Sequence, residues 1–230
     1  MIKTFDPSKV GHSQDAQGLT HRRLHITKVQ RIENPELYHR YAGRRYGFCM
    51  EAVRGEIKAL HKLRSMRIRQ VETQRVVQTL PNLSRKYDLV EEINECYLFH
   101  GTKAEAVEGM LMSGPTEKLG QDTGMFGRGI YCAEESTKAD QYSDPKNARQ
   151  TQNLQMIIMR VLLGKVFHCT AIKKYYKPPC MEPNCGRADI CTKHPQYDTI
   201  CGDVEKLFRE FVIYDQWQCY PEFLVTYDRT

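Results

Sequence analysis

The 230-residue chain lacks the features that mark membrane, secreted and repeat proteins. It has no apolar run near the roughly 20 residues that a membrane-spanning helix needs, and Lys3 and Asp6 interrupt its start, where a secretory signal would be apolar. It shows no internal repeat, and its nine cysteines form no Cys-x-x-Cys pair. An odd number of irregularly spaced cysteines is typical of a reducing compartment. We therefore expect an intracellular protein, nuclear or cytoplasmic, without membrane contacts.

Positive charge is spread unevenly along the chain. The formal net charge is +6, and basic residues outnumber acidic ones between Arg40 and Lys86, most densely at Arg64, Arg67 and Arg69. Such a patch could hold nucleic acid through phosphate contacts, so nucleic acid is a candidate partner. No aromatic residues interleave with these arginines, as stacking on single strands would require. A solvent-exposed helix face is therefore the simpler interpretation.

Apolar periodicity predicts short strands and few helices, a pattern typical of an α+β fold. Residues 1–21 show no apolar period and are predicted to form a loose arm. Alternation over 24–32 predicts a strand, and Asn34 with Pro35 marks the start of a helix. The apolar stripe Val53, Ile57, Leu60, Ile68 and Val71 has helical spacing, is broken in the middle by Arg64, and predicts helical structure over about 51–78 that ends at Pro81. The other predicted strands cover 97–99, 130–132, 154–167 (bulged near Gly164), 210–214 and 223–227, and the other predicted helices cover 104–112 and 134–142.

Four side chains capable of binding or catalysis lie at the edges of these predicted elements. His100-Gly101-Thr102 follows one strand, and Gly127-Arg128-Gly129-Ile130-Tyr131 leads into the next. Tyr142 ends the following helix, and Glu210 opens a late apolar run. One fold could gather all four around a single ligand.

This set resembles the His-Tyr-Glu signature of the poly(ADP-ribose) polymerase family, the diphtheria-toxin-like ADP-ribosyltransferases. The stretches 125–131, 210–214 and 220–227 resemble its tankyrase branch in particular. The resemblance implies two small antiparallel sheets around a cleft that binds NAD+ as a substrate. It also implies transfer of ADP-ribose to protein side chains, including those of the protein itself, with release of nicotinamide and extension into poly- or oligo(ADP-ribose).

The resemblance assigns the catalytic role to Glu210, with His100 and Tyr131. Breaking the bond between nicotinamide and ribose develops an oxocarbenium-like cation, as in glycoside hydrolysis. A carboxylate near the ribose stabilises that cation and can take the proton of an incoming hydroxyl. The expected NAD-binding residues are His100 on the adenosine ribose, Gly101 on the nicotinamide amide, Thr102, Ala139, and the two flanking rings of Tyr131 and Tyr142. Thr102 could equally cap the following helix.

Two departures from the family pattern raise alternatives. A basic helical insertion at about 46–92, within a catalytic domain of residues 22–230, favours an enzyme regulated by nucleic acid. Ala139 stands where the family has a serine that holds nicotinamide, although Ser136, one helical turn earlier, could partly replace that serine. This second departure favours a catalytically weak protein that binds NAD or ADP-ribose. A mono-ADP-ribosyltransferase is a further alternative.

A second group of residues has metal-binding chemistry. Cysteine thiolates and histidine nitrogens are the usual ligands of tetrahedral zinc. The candidates are Cys180, Cys185, Cys191, His194 and Cys201. Their spacing is irregular, so reduced cysteines in a long loop are the simpler interpretation.

Overall fold

The computed structural model describes residues 1–60, 70–80, 89–116, 124–204 and 208–230. Its strands are β1 Leu24–Arg31, β2 Glu95–Gly101, β3 Ile130–Ala133, β4 Leu154–Leu162, β5 Val166–Cys169, β6 Thr199–Gly202, β7 Glu210–Ile213 and β8 Cys219–Arg229. Its helices are α1 Pro35–Val53, α2 Glu72–Gln78, α3 Ala104–Ser113 and α4 Ser136–Asp140. Among these residues, no helix combines the length and apolar character needed to cross a bilayer.

The eight strands form one sheet in the order β1-β8-β4-β2-β3-β7-β6-β5. This confirms the α+β class and corrects the expectation of two separate antiparallel sheets. The two halves of the sheet are joined where Phe99 of β2 pairs with Ala133 of β3. The outermost pair, β5 with β6, is parallel. The narrow junction between β2 and β3 places the ends of these two strands side by side.

Helix α1 begins as its sequence predicts. The Asn34 side chain accepts a hydrogen bond from the backbone N–H of Leu37 at 3.2 Å, and Pro35 occupies the first helical position. Leu37, Tyr41 and Phe48 lie on the buried face. The cap and this apolar face together anchor α1 on the sheet.

Within the stretch 51–78, where a break was predicted at Arg64, a first break comes earlier, just after Val53. Helix α1 ends at Val53, which is 82% exposed, and Gly55 follows with a φ of +78°, a left-handed conformation that ends a helix. Ile57 and Leu60 are buried beyond that turn, and the shorter α2 packs against β2. Residues 61–69 and 81–88 lie outside the described residues, so the predictions for Arg64, Arg67, Arg69, Ile68 and Pro81 stay predictions.

The apolar run 154–167 forms two strands rather than one bulged strand. Gly164 adopts a φ of +58° between β4 and β5, and the Asn94 side chain donates to its carbonyl at 2.8 Å. Strand β4 then lies between β8 and β2, whereas β5 pairs with β6 at the far edge. Local periodicity predicts an extended run but not which neighbour each half of the run will pair with.

Residues 1–21 are packed on the domain, which corrects the prediction of a loose arm. Thr4, Ala16 and Leu19 are buried, and three short 3-10 turns order the segment. The Lys9 ammonium contacts the Glu135 carboxylate at 2.6 Å. We call residues 1–21 the N-terminal segment. Polar contacts, which leave no apolar period in the sequence, contribute much of its attachment.

Candidate active site

The structure brings the predicted site residues together at the junction of the two half-sheets. His100 lies near the end of β2, Tyr131 on β3 and Glu210 at the start of β7. The His100 imidazole Nδ1 lies 2.8 Å from the Tyr131 carbonyl oxygen. Glu210 pairs with Ala133, two residues beyond Tyr131 on the neighbouring strand. Strand pairing thus gathers residues more than a hundred positions apart in the chain.

The His100 ring is held by hydrogen bonds. Burial alone would disfavour the charged imidazolium, but interactions with the Cys132 thiol and the Tyr131 carbonyl outweigh it and raise the pKa of His100. These contacts fix the orientation of the ring. A ligand hydroxyl would therefore meet a preorganised imidazole.

The Tyr131 hydroxyl is held by the glycine-rich stretch that precedes β3. It donates to the Gly127 carbonyl at 2.7 Å and accepts from the Phe126 backbone N–H at 3.0 Å. Burial is the main cause that raises the pKa of Tyr131, and the Glu210 carboxylate adds to it. The phenol is therefore neutral at physiological pH, and its ring position is set by the main chain.

Glu210 is a buried carboxylate, and the ammonium group of Lys138 lies beside it. It is 5% exposed, and the Lys138 ammonium of α4 lies 3.6 Å from its Oε1. Burial raises the pKa of Glu210, and the positive charge of Lys138 partly opposes that shift. Lys138 also donates to the Tyr142 hydroxyl at 2.9 Å. A single lysine thus connects the carboxylate to the second predicted aromatic residue.

Gly101 permits a close approach between β2 and α4. A Cβ at this position would overlap the Ala139 carbonyl oxygen and lie 3.2 Å from the Cβ of Tyr142. The Ala139 methyl group packs in an apolar cluster with residues such as Phe99. Glycine here is therefore needed for packing, whatever else its backbone binds.

Two of the local expectations are corrected by the contacts. The Ser136 hydroxyl donates to the Met1 carbonyl at 2.9 Å, so it faces the N-terminal segment instead of replacing a serine at position 139. The N-cap of α3 is Lys103, one residue after Thr102, so Thr102 is not the cap. Thr102 remains partly buried next to Gly101.

Sequence reasoning missed Asp15 as part of this cluster. Its carboxylate accepts from the Tyr142 hydroxyl at 2.6 Å and lies 2.5 Å from the Lys146 ammonium and 3.4 Å from Lys138. Burial opposes its ionisation, but Lys146, Tyr142 and Lys138 lower the pKa of Asp15 to about 2. No local signal marks this residue, because it is one acidic side chain in a polar stretch.

A buried ion pair beside Glu210 was also missed. Arg209 donates to both carboxylate oxygens of Glu134, at 2.7 and 2.5 Å, and each side chain is 1% exposed. Glu134 in turn accepts the backbone N–H of Glu72 at 2.7 Å, which connects α2 to the site. An arginine directly before Glu210, at the start of an apolar strand, was the available signal.

The metal candidates divide into two places. The ligand atoms of Cys180, Cys185, Cys191 and His194 all lie within 4.8 Å of one another. Cys201 lies on β6, fully buried in the apolar core, and is not a member of this group. The prediction of Cys201 as a zinc ligand is therefore corrected, whereas the other four candidates lie together.

Cavity size does not single out this cluster. A surface groove of about 510 Å³ is lined by other residues, among them Asn34, Tyr38, Arg160 and Glu222. It shares no lining residue with the cluster around Glu210. We place the candidate active site at the cluster because buried ionisable groups with shifted pKa values converge there.

Comparison with known proteins gives a family match and several relatives. The family model of the poly(ADP-ribose) polymerase catalytic domain matches residues 9–229. Mouse protein mono-ADP-ribosyltransferase PARP11 is 28% identical over 155 residues, which cover 60% of this chain and 44% of that protein. Mouse PARP12 is 27% identical over 139 residues, covering 60% of this chain and 17% of that protein.

A third relative extends over more of the chain. Human protein mono-ADP-ribosyltransferase PARP14 is 26% identical over 206 residues, which cover 88% of this chain but 9% of that protein. The aligned regions thus cover less than half the length of each of these relatives. All three carry the name of mono-ADP-ribosyltransferases rather than of tankyrases.

Proposed function

Since the chain belongs to the poly(ADP-ribose) polymerase catalytic domain family, we propose that it transfers ADP-ribose from NAD+ to protein side chains and releases nicotinamide. The observation that carries this proposal is the buried Glu210 carboxylate beside Lys138, in one cluster with His100, Tyr131 and Tyr142. A buried carboxylate near a ribose favours a reaction with cationic character. NAD+ and a protein acceptor are then the two substrates.

Each side chain has a proposed task toward NAD+. The His100 imidazole would bind adenosine ribose hydroxyls, and its hydrogen bond to the Tyr131 carbonyl would keep it oriented. The rings of Tyr131 and Tyr142 would flank the nicotinamide, where aromatic faces stabilise a pyridinium cation by about 1–2 kcal/mol. The backbone of Gly101, and the neighbouring Thr102 and Ala139, complete the proposed NAD-binding set.

Glu210 would act on the reacting bond. The C1′–N bond of NAD+ breaks, nicotinamide leaves with the electron pair, and positive charge develops on the ribose. The carboxylate stabilises that charge and, when the acceptor is a hydroxyl, takes its proton as the new C1′–O bond forms. Lys138, at 3.6 Å, would hold the carboxylate in place and favour its charged form.

We propose that the main product is a single ADP-ribose unit on each acceptor side chain. The relatives favour this product, because each of them is named a mono-ADP-ribosyltransferase. Extension into short chains is the second candidate, and the Glu210 carboxylate favours it. An elongating ribose hydroxyl is a poor nucleophile that needs a base. The tankyrase-like resemblance and the longer polymers that it implies remain a prediction.

The test is incubation of the purified chain with labelled NAD+ and resolution of the modified protein on a denaturing gel. A single shifted band supports transfer of one unit, and a ladder supports extension. When an excess of unlabelled NAD+ is present from the start of the reaction, the label on the protein must become too weak to detect. NAD+ binding without any transfer or nicotinamide release would overturn the proposal and leave a catalytically weak NAD-binding protein.

A further inference from the structure

The segment between β5 and β6, residues 170–198, holds four side chains with zinc-binding chemistry. We call it the β5–β6 segment. The Sγ atoms of Cys180, Cys185 and Cys191 and a ring nitrogen of His194 all lie within 4.8 Å of one another. Three thiolates and one imidazole are a common ligand set of structural zinc. A complete set of four protein ligands would leave no open position for a substrate or water.

The distances within the group fit a tetrahedral ion. The His194 Nδ1 atom lies 3.4 Å from the Cys191 sulfur and 3.9 Å from the Cys180 sulfur. Zinc bonds of about 2.3 Å to sulfur and about 2.0–2.1 Å to nitrogen, arranged tetrahedrally, separate a sulfur from a nitrogen by about 3.5 Å. These two separations bracket that value, and the remaining ligand pairs, all within 4.8 Å, would have to close by up to about 1 Å around an ion.

The backbone presents these ligands from several directions. The Cys180 N–H donates to the Ala188 carbonyl at 3.0 Å, and the Cys185 N–H donates to the Glu182 carbonyl at 3.1 Å. The Cys191 carbonyl accepts from the Lys177 ammonium at 2.6 Å and from the Gln196 amide at 2.7 Å. Main-chain turns therefore bring the thiols together independently of the thiols themselves.

The β5–β6 segment contains little regular secondary structure. Its regular structure is one 3-10 turn, Ala188–Ile190, with an isolated bridge inside the segment between Cys180 and Gln196 and another from Tyr175 to Gly127 outside it. The Ile190 side chain is 58% exposed, so the turn does not contribute it to a core. Irregular segments of this kind are commonly stabilised by a metal or a disulfide.

The same segment contacts the candidate active site. The Tyr175 N–H donates to the Phe126 carbonyl at 3.1 Å, and the Arg128 N–H donates to the Tyr175 carbonyl at 3.2 Å. Gly127, between those two residues, accepts the Tyr131 hydroxyl. Order in the β5–β6 segment thus supports the stretch that positions Tyr131.

We propose that Cys180, Cys185, Cys191 and His194 bind one structural zinc ion, which fixes the β5–β6 segment against the stretch that holds Tyr131. Each of the three thiols loses a proton on binding, and the neutral imidazole donates its Nδ1 lone pair. The inference does not depend on the proposed transferase reaction, because its tests measure metal content and local order.

The first experiment measures zinc in the full chain, purified under reducing conditions and without chelator, by mass spectrometry of the metal. About one equivalent per chain is expected for the wild type and for the control variant Cys49→Ala, whose thiol lies on α1 outside the group. Cys185→Ala and His194→Ala should retain well under half an equivalent. Wild-type protein that holds no zinc and takes up none on dialysis against zinc would overturn the proposal.

A second measurement needs no variant. Cobalt(II) replacing zinc in the wild type should give the visible absorption of a tetrahedral, thiolate-ligated ion. Removal of the metal should speed trypsin cleavage after the exposed Arg187 and Lys193 by roughly tenfold or more, because local opening becomes easier. A disulfide between two of the cysteines in freshly reduced, metal-exposed protein, or equal cleavage with and without metal, would contradict the proposal.

Discussion

The Asp15 carboxylate accepts a hydrogen bond from the Tyr142 hydroxyl at 2.6 Å, across 127 residues of sequence. This contact joins the N-terminal segment to the residue proposed to flank nicotinamide. Asp15 also lies 3.4 Å from the Lys138 ammonium, which in turn lies 3.6 Å from Glu210. The N-terminal segment therefore contributes charge to the candidate active site, and its effect can be measured there.

Asp15 and Lys138 should move the acid limb of the pH–rate profile in opposite directions. The proposed reaction needs the Glu210 carboxylate, whose pKa burial raises, so activity should fall with decreasing pH at a higher pH than for an ordinary glutamate. Asp15 raises the pKa of Glu210 further, whereas Lys138 lowers it. Asp15→Asn should shift the midpoint to lower pH, and Lys138→Met to higher pH.

The measurement is kcat/KM for NAD+ between about pH 4 and 9, since this ratio reports groups of the free enzyme. The control is Asp6→Asn in the same segment, because the Asp6 side chain bonds to Ser8 and not to this cluster. Shifts of the same sign for Asp15→Asn and Lys138→Met would show that the acid limb does not report Glu210.

Glu210→Gln should lower the rate of ADP-ribose transfer by about 10²-fold or more, because the amide keeps the shape but neither stabilises the cation nor takes a proton. It should also abolish any chain extension. NAD+ binding should stay within a few-fold of wild type. Calorimetry measures the binding, and single-turnover labelling measures the transfer.

The exposed Glu105 on α3 offers a matched control. Glu105→Gln removes the same charge outside the cluster and should transfer ADP-ribose like the wild type. A Glu210→Gln variant with the wild-type rate would remove Glu210 from the catalytic role.

Gly101→Ala should destabilise the domain and impair NAD+ binding together. The added Cβ would overlap the Ala139 carbonyl oxygen, so α4 would have to move away from β2. Overpacking of this kind costs about 1–3 kcal/mol of unfolding free energy. Urea denaturation and NAD+ titration measure the two effects.

Gly109→Ala on α3 is the control, since a Cβ there meets no atom within 4 Å. Alanine is favoured over glycine in a helix, so this variant should gain up to about 1 kcal/mol. Equal stability of the two variants would show that β2 and α4 tolerate the extra carbon.

The buried pair of Arg209 and Glu134 should behave as one unit. Arg209→Met removes the guanidinium that bonds both oxygens of the buried Glu134 carboxylate, a change that typically costs about 3–5 kcal/mol of unfolding free energy. Adding Glu134→Gln removes that charge and keeps an acceptor for the Glu72 N–H. The double variant should therefore be more stable than Arg209→Met alone.

Urea unfolding of the wild type, both single variants and the double variant gives the coupling energy. The exposed Glu36, 3.2 Å from Arg40, serves as control, and Glu36→Gln should cost no more than about 0.5 kcal/mol. Additive effects of Arg209→Met and Glu134→Gln would contradict the coupling.

Local chemistry in the sequence was enough to predict most of the strands and the start of α1. Alternation over 24–32 predicted β1, and Asn34 with Pro35 predicted the helix cap that the structure contains. The signals for these elements depend on neighbours within a few positions, which a single sequence shows directly. The convergence of His100, Tyr131 and Glu210 was instead an expectation from the family resemblance, because no local signal connects residues so far apart.

Only the tertiary structure decided which distant groups meet. It divided the apolar run 154–167 at Gly164 and sent β5 to the far edge of the sheet. It brought Asp15 to Tyr142, and it separated Cys201 from the four converging metal candidates. Polar contacts across long sequence separations leave no periodicity, and strand partners depend on the whole sheet. The sequence by itself therefore determined the elements and the reactive residues, whereas the packing of the whole chain decided their partners.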